Sequence, residues 1–222
     1  DEDVPPIWVR KLLSELLPDP SKRPPRTRVR ICSRCNSELN VKFEIPCKAL
    51  VETLIRGRES VSLSLEQMTL VSAWTTKTTL VRLVADGSFQ LDHETVDAAR
   101  RELVELMETG RPSVFISLRI GYFSMEQERP HRLLLPPPRR FAVPHSVKNS
   151  DSFNANPSLG CLKWELLMSK TRQTASIQRL STVQIDNDRL LRVWPLPSEE
   201  QEKLWPPREK LDLATVAMHA EA

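Results

Sequence analysis

The amino-acid sequence predicts an α+β fold: a mainly antiparallel sheet with three to four helices and proline-rich extended arms. Three observations lead to that prediction. Between a capping Asp92 and a terminating Gly110, the apolar residues Val96, Ala99, Leu103 and Leu106 recur at helical spacing. Val114, Ile116, Leu118, Ile120 and Tyr122 alternate with Phe115, Ser117, Arg119 and Phe123. That is the period of a strand, and apolar residues on both faces make it a central one. Eighteen prolines against five glycines favour extended connections over tight turns.

The remaining elements follow in chain order. Trp8, Leu12, Leu13, Leu16 and Leu17 form the stripe of a short amphipathic helix, which Pro18 and Pro20 stop. Residues 21–46 read as a β-hairpin. Val29 and Ile31 oppose Arg28 and Arg30, Asn36-Ser37 marks the turn, and Leu39, Val41, Phe43 and Ile45 alternate with Asn40, Lys42 and Glu44. Pro46 suits the first position of a helix whose stripe is Cys47, Leu50, Val51, Leu54 and Ile55, with Gly57 as its C-cap. Ser64 and Gln67 make a capping box ahead of Met68, Val71 and Trp74. Thr75, Thr76, Thr78 and Thr79 then switch the local preference to strand. Strands at 80–84 and 88–91 flank the hairpin signal Asp86-Gly87. Residues 161–168 fit a strand or a helix, and 177–185 with 190–193 read as a last hairpin. The expected organisation is an N-terminal arm with a short helix (1–25), a single α+β domain (26–193) with a basic proline-rich loop at 129–160, and a C-terminal arm (194–222).

The charge is local. Net charge is only +3, yet Lys22, Arg23, Arg26, Arg28, Arg30 and Arg34 fall in a stretch without an acid from Ser21 to Ser37. On a strand, Arg26, Arg28 and Arg30 project from one face about 6–7 Å apart, a row suited to phosphates. Arg129, Arg132, Arg139 and Arg140 form a second basic stretch around the Pro136-Pro137-Pro138 triplet, together with His131 and His145. The expected partners are an RNA phosphate backbone or an anionic membrane surface. Pro5, Pro6 and Trp8 near the start, and the near-repeat Trp194-Pro195 and Trp205-Pro206, are rigid aromatic–proline pairs suited to docking on neighbouring subunits, so self-association is expected.

Enzymatic motifs are lacking. There is no P-loop and no dinucleotide fingerprint, and Glu102 and Glu105 are expected on the wet side of their helix. Four cysteines make no disulfide framework. Cys32 and Cys35 form a CxxC, half of a zinc knuckle, for which Cys47 and Cys161 are the remaining thiols. Their spacing matches no common site, so no metal, cofactor or small-molecule substrate is expected. A non-enzymatic structural or assembly protein, intracellular and cytoplasmic or membrane-peripheral, is the expectation. An RNA-binding subunit of a ribonucleoprotein is the alternative.

Asp1, Glu2 and Asp3, then Pro5-Pro6-Ile7-Trp8, then the basic run from Lys22 to Arg34, resemble the layout of rhabdovirus matrix proteins. In these an acidic, proline-rich start and a basic segment precede a compact α+β domain. The resemblance covers about the first eighty residues and implies a virion assembly role. Trp8 stands where the family's PPxY motif has tyrosine.

Overall fold

Four helical rods and three antiparallel β-structures make up the computed structural model, which describes residues 2–16, 27–85, 91–122, 152–155, 157–172, 190–196 and 203–206. The rods are α1 (Ile7–Leu16), a continuous rod, α4 (Leu65–Ala85) and α5 (His93–Thr109). The continuous rod joins α2 (Ser33–Leu39), a π turn (Asn40–Glu44) and α3 (Ile45–Arg56). The main sheet has the order β5 (Ser152–Ala155), β7 (Leu162–Ser169), β4 (Ile116–Tyr122) and β8 (Leu190–Trp194), and β6 (Ser158–Leu159) folds back on β7. Two short ribbons complete the fold, β1 (Glu2–Val4) with β2 (Thr27–Val29), and β3 (Val61–Leu63) with β9 (Lys203–Trp205). The α+β class and the antiparallel pairing are as the sequence predicts.

Helix α4 is the central element. It meets α3, α5, the π turn, both ribbons and strands β7 and β8. Every residue from Val71 to Leu83 is buried. This is why it has no single apolar stripe. The sheet presents Ile116, Leu118, Ile120, Trp164, Leu166 and Met168 to this core, in a register that sets Ile120 opposite Trp164 and Leu118 opposite Leu166. The Trp164 indole donates to Thr79 Oγ1 at 2.9 Å. Strand β4 lies between β7 and β8, the central place the sequence predicts, although its second face is Ser117, Arg119 and Gly121.

Capping chemistry sets several helix ends where the sequence predicts them. Asp92 caps α5 by accepting from Thr95 N at 2.7 Å, and Gly110 ends it at φ 74°. Ser64 and Gln67 make the reciprocal bonds of the capping box. Gly57 ends α3 at φ 60°, where an added Cβ would lie 2.6 Å from Cys161 Cβ, so both backbone and space demand glycine.

Three expectations are corrected. Residues 39–45 are helical, not the second strand of a hairpin, and Asn36-Ser37 lies within α2. The alternating apolar set splits: Leu39 and Phe43 are buried, while Val41 and Ile45 are 62% and 63% exposed. Leu39, Phe43, Cys47 and Val51 form a stripe at intervals of four that runs into α3, and burying the longer stripe wins. Pro46 accounts for the π turn. It lacks an N–H and its ring crowds the carbonyl four residues back. The wider turn, with Ile45 N bonded to Asn40 O, relieves that clash.

The threonine-rich segment at 75–79 and the expected strand at 80–84 are also helix. Thr75 and Thr79 bond back to the carbonyls of Val71 and Thr75 at 2.7 and 2.8 Å, so the helix itself supplies acceptors for these hydroxyls. Asp86-Gly87, most of 88–91 and all of 177–185 lie outside the described residues.

The aromatic–proline segments, finally, pack on their own domain. Pro5 and Pro6 are buried, and α1 contributes Val9, Leu12 and Leu13 to the core. Trp194 ends β8, its indole donating to Ser113 O at 2.9 Å. Trp205 is fully buried in β9 against Tyr122. Only Pro195 is exposed, and Pro206 is half-buried. Trp194 and Trp205 are thus part of the core and not of an extended arm, and Trp8 is half-buried.

At the core's centre lies an ion pair. Lys77 Nζ reaches Glu44 Oε1 at 2.6 Å, and the indoles of Trp8 and Trp74 donate to Glu44 Oε2 at 2.7 and 3.1 Å. Lys77 is 1% exposed and Glu44 5%. Removing one member strands the other in a dry interior. Glu44→Ala is expected to cost about 3–5 kcal/mol. Glu44→Leu combined with Lys77→Met is expected to be more stable than Glu44→Ala alone. Urea unfolding followed by tryptophan fluorescence checks both; equal destabilisation would deny the pair its place.

Asp92 provides a second test. Partial burial opposes its ionisation, but the Lys170 ammonium at 2.9 Å and the Thr95 N–H outweigh that and hold the carboxyl down at about 2. The unfolded value is about 3.9. The contribution is therefore complete above the unfolded value and is lost as pH falls through the folded one. Asp92→Asn keeps the cap and removes the charge. It is expected to lower stability by up to about 1 kcal/mol at neutral pH, and the gap to the parent should close in acid titrations approaching pH ~2.

Candidate phosphate and thiol site

The site begins where β2 leaves its ribbon. Arg28 stands opposite Asp3 in the β1–β2 register. Val29 is buried, and the half-buried Ile31 packs with it against Leu39, Phe43, Ala73, Val81 and Leu106. This anchorage fixes the direction in which the chain enters α2. Arg30 is exposed beside it. The strand ends at Val29, so the expected row of three arginines on one strand face is not formed by the described residues.

Cys32 is the N-cap of α2, in extended conformation, and its sulfur accepts from Cys35 N at 3.1 Å. The two sulfurs are 2.7 Å apart. Arg34 projects from the first turn with its side chain 88% exposed, and pairs with Glu38 one turn on at 3.1 Å. An ion pair this exposed is weak, so the guanidinium stays available to an external anion. Hydrogen bonding to Glu38, then its charge, raises the pKa of Arg34, which stays cationic.

The thiols differ sharply. Hydrogen bonds from the Cys35 side chain and then its backbone lower the pKa of Cys32, and the nearby Arg34 charge adds to them. Cys35 is raised, first by its bond to Cys32 and then by desolvation. Cys47 is pushed up to about 12 by burial and by the neighbouring Glu44 charge. It donates to Leu70 O at 3.0 Å. Cys161 is buried beside the C-terminus of α3, with its sulfur 3.6 Å from Arg56 O.

Cys47 and Cys161 are therefore buried, while Cys32 is exposed and Cys35 half-buried at the start of α2. Among the described residues no group of three or more His, Cys, Asp or Glu is placed to hold a metal ion. Cys32 and Cys35 alone supply half of a tetrahedral thiolate set.

Of the expected phosphate ligands, Arg30 precedes the thiol pair and Arg34 falls between its two cysteines, both exposed, and Arg28 comes before them in β2. Lys22, Arg23, Arg26, Arg129, Arg132, Arg139 and Arg140 lie outside the described residues, as do His131 and His145. Glu102 is corrected. It is buried, not on the wet face, accepting from Ser113 Oγ and from Arg172 at 3.0 Å, while Arg172 also pairs with Glu105.

Sequence reasoning passed over Glu44 and Lys77, although a signal for Lys77 was present. From Val71 to Leu83 the only charges are Lys77 and Arg82. A lone ammonium in a long run without an acid, on a segment that is buried throughout, implies a buried carboxylate partner from elsewhere in the chain. Among the described residues no helix is long and apolar enough to cross a membrane. No family model, curated protein or solved structure matches the chain.

Iodoacetamide is expected to modify Cys32 of the folded, reduced chain first, then Cys35. Cys47 should resist until the protein unfolds. Peptide mapping over time gives the order, and early labelling of Cys47 would contradict the described burial.

Proposed function

We propose that this chain is a non-enzymatic binding protein that holds a phosphate-bearing surface through the basic segment leading into α2, and that the surface is an RNA backbone. The observation that carries the reading is the pair of exposed cations, Arg30 and Arg34, at the entry of a helical rod within an acid-free stretch. Guanidinium forks suit phosphate oxygens and stay charged at any physiological pH. Contacts of this kind give affinity and salt dependence without reading bases.

Two further facts support it. Among the described residues, the buried carboxylates that low dielectric would poise for acid–base chemistry have donors: Glu44 has three, and Glu102 is held by Ser113 and Arg172. A matrix-type assembly would dock neighbours through Trp8, Trp194 and Trp205, and of these Trp194 and Trp205 are buried in their own chain while Trp8 is half-buried. RNA is therefore the preferred surface over a matrix-type lattice.

Fluorescence anisotropy with a single-stranded RNA oligomer, across a salt series, tests the proposal. Affinity should fall steeply with salt. Arg30→Ala with Arg34→Ala should weaken binding uniformly across sequences and flatten the log–log salt slope by about one to two. Sedimentation with anionic liposomes runs in parallel. Liposome binding with concentration-dependent oligomers, and no RNA binding, would replace this reading with the matrix one.

A further inference from the structure

We propose that Cys32 and Cys35 form a redox-active dithiol, a site that closes to an intramolecular disulfide by exchange with a low-molecular-weight disulfide. Both cysteines carry free thiols, and their sulfurs are already in contact at 2.7 Å. Cys32 is exposed at the N-cap and Cys35 is half-buried one turn on. Residues three apart in a first helical turn have Cα atoms within the span a disulfide bridges. Closure therefore asks only for small rotations of two side chains, and α2 is left in place.

The geometry also assigns the order of events. Cys32 faces solvent, its sulfur receives the Cys35 N–H, and its lowered pKa favours the thiolate. It attacks one sulfur of the external disulfide. That bond breaks, the first external thiolate leaves with the electron pair, and a mixed disulfide forms on Cys32. Cys35, its proton lost to solvent, then attacks the Cys32 sulfur, breaks the mixed bond and releases the second external thiolate. The pair loses two electrons and two protons, and the external disulfide becomes two thiols. Cys47 and Cys161 are buried, so the reaction is confined to the exposed pair.

This proposal stands independently of the phosphate reading. Nothing in the exchange needs Arg30 or a bound anion.

The test equilibrates the reduced full chain in graded mixtures of glutathione and glutathione disulfide. Samples are quenched in acid, alkylated and mapped by mass. The peptide carrying Cys32 and Cys35 should lose two hydrogens, while Cys47 and Cys161 stay thiols. Cys35→Ser should stop at a glutathione adduct on Cys32. Cys32→Ser should react about ten-fold more slowly, through Cys35 alone. Both variants change exposed or half-buried positions, and unchanged circular dichroism confirms that they fold. Cys32 and Cys35 both remaining free thiols in the most oxidising mixture would overturn the proposal. So would a stable double adduct, or stoichiometric zinc on the purified chain that is lost in Cys32→Ser.

Discussion

One buried charge pair sets the arrangement of the helices. Glu44 receives Lys77 on one oxygen and the indoles of Trp8 and Trp74 on the other. Those donors come from α1 and α4, and the acceptor from the π turn between α2 and α3. A single carboxylate thus joins three of the four rods. A charge in this setting is tolerable only when its partners are held in place, so the helix positions around it are coupled. The rings reinforce the geometry, with Trp8 and Trp74 centroids 5.9 Å apart and Trp74 to Trp164 6.1 Å. Trp164 belongs to β7, so the same cluster fastens the sheet to α4.

The π turn carries the acceptor of this pair. Phe43 and Glu44 are adjacent in sequence, yet both are buried. Pro46 favours that turn for its own steric reasons, so one local distortion serves both the proline and the ion pair. The far end of the rod is fixed as firmly. Gly57 and Gly160 both have positive φ, and Cys161 N donates to Ile55 O at 2.9 Å. The rod is thereby pinned at its C-terminus to the β6–β7 turn and at its middle to α4. Its N-terminus, with Cys32, Cys35 and Arg34, is held out to solvent on a stiff support. Side chains presented on a packed helix keep their geometry better than side chains on a loop.

Sequence reading was accurate where the cause was local. Asp92, Gly110, Ser64, Gln67 and Gly57 act through bonds within one turn, and each end or start fell where those residues put it. The α+β class followed from the long alternation in β4 and the stripe of α5. The thiol pair was legible as a CxxC, and the cations around it as an acid-free run. Its placement at a helix N-cap was hidden, because the alternation of Leu39, Val41, Phe43 and Ile45 fits a strand as well as the helix fits Leu39, Phe43 and Cys47.

By itself, then, the sequence determined the fold class, the caps, the central strand and the local charge. The tertiary structure decided which of two compatible periods residues 39–45 follow, that the threonine-rich segment is the heart of a buried helix, and that Trp194 and Trp205 belong to the core. It also decided that Glu44 meets Lys77. These outcomes rest on contacts between residues far apart in the chain, thirty-three positions in the case of Glu44 and Lys77. Propensity and periodicity sense only neighbours a few residues away, and burial against distant partners outweighs them.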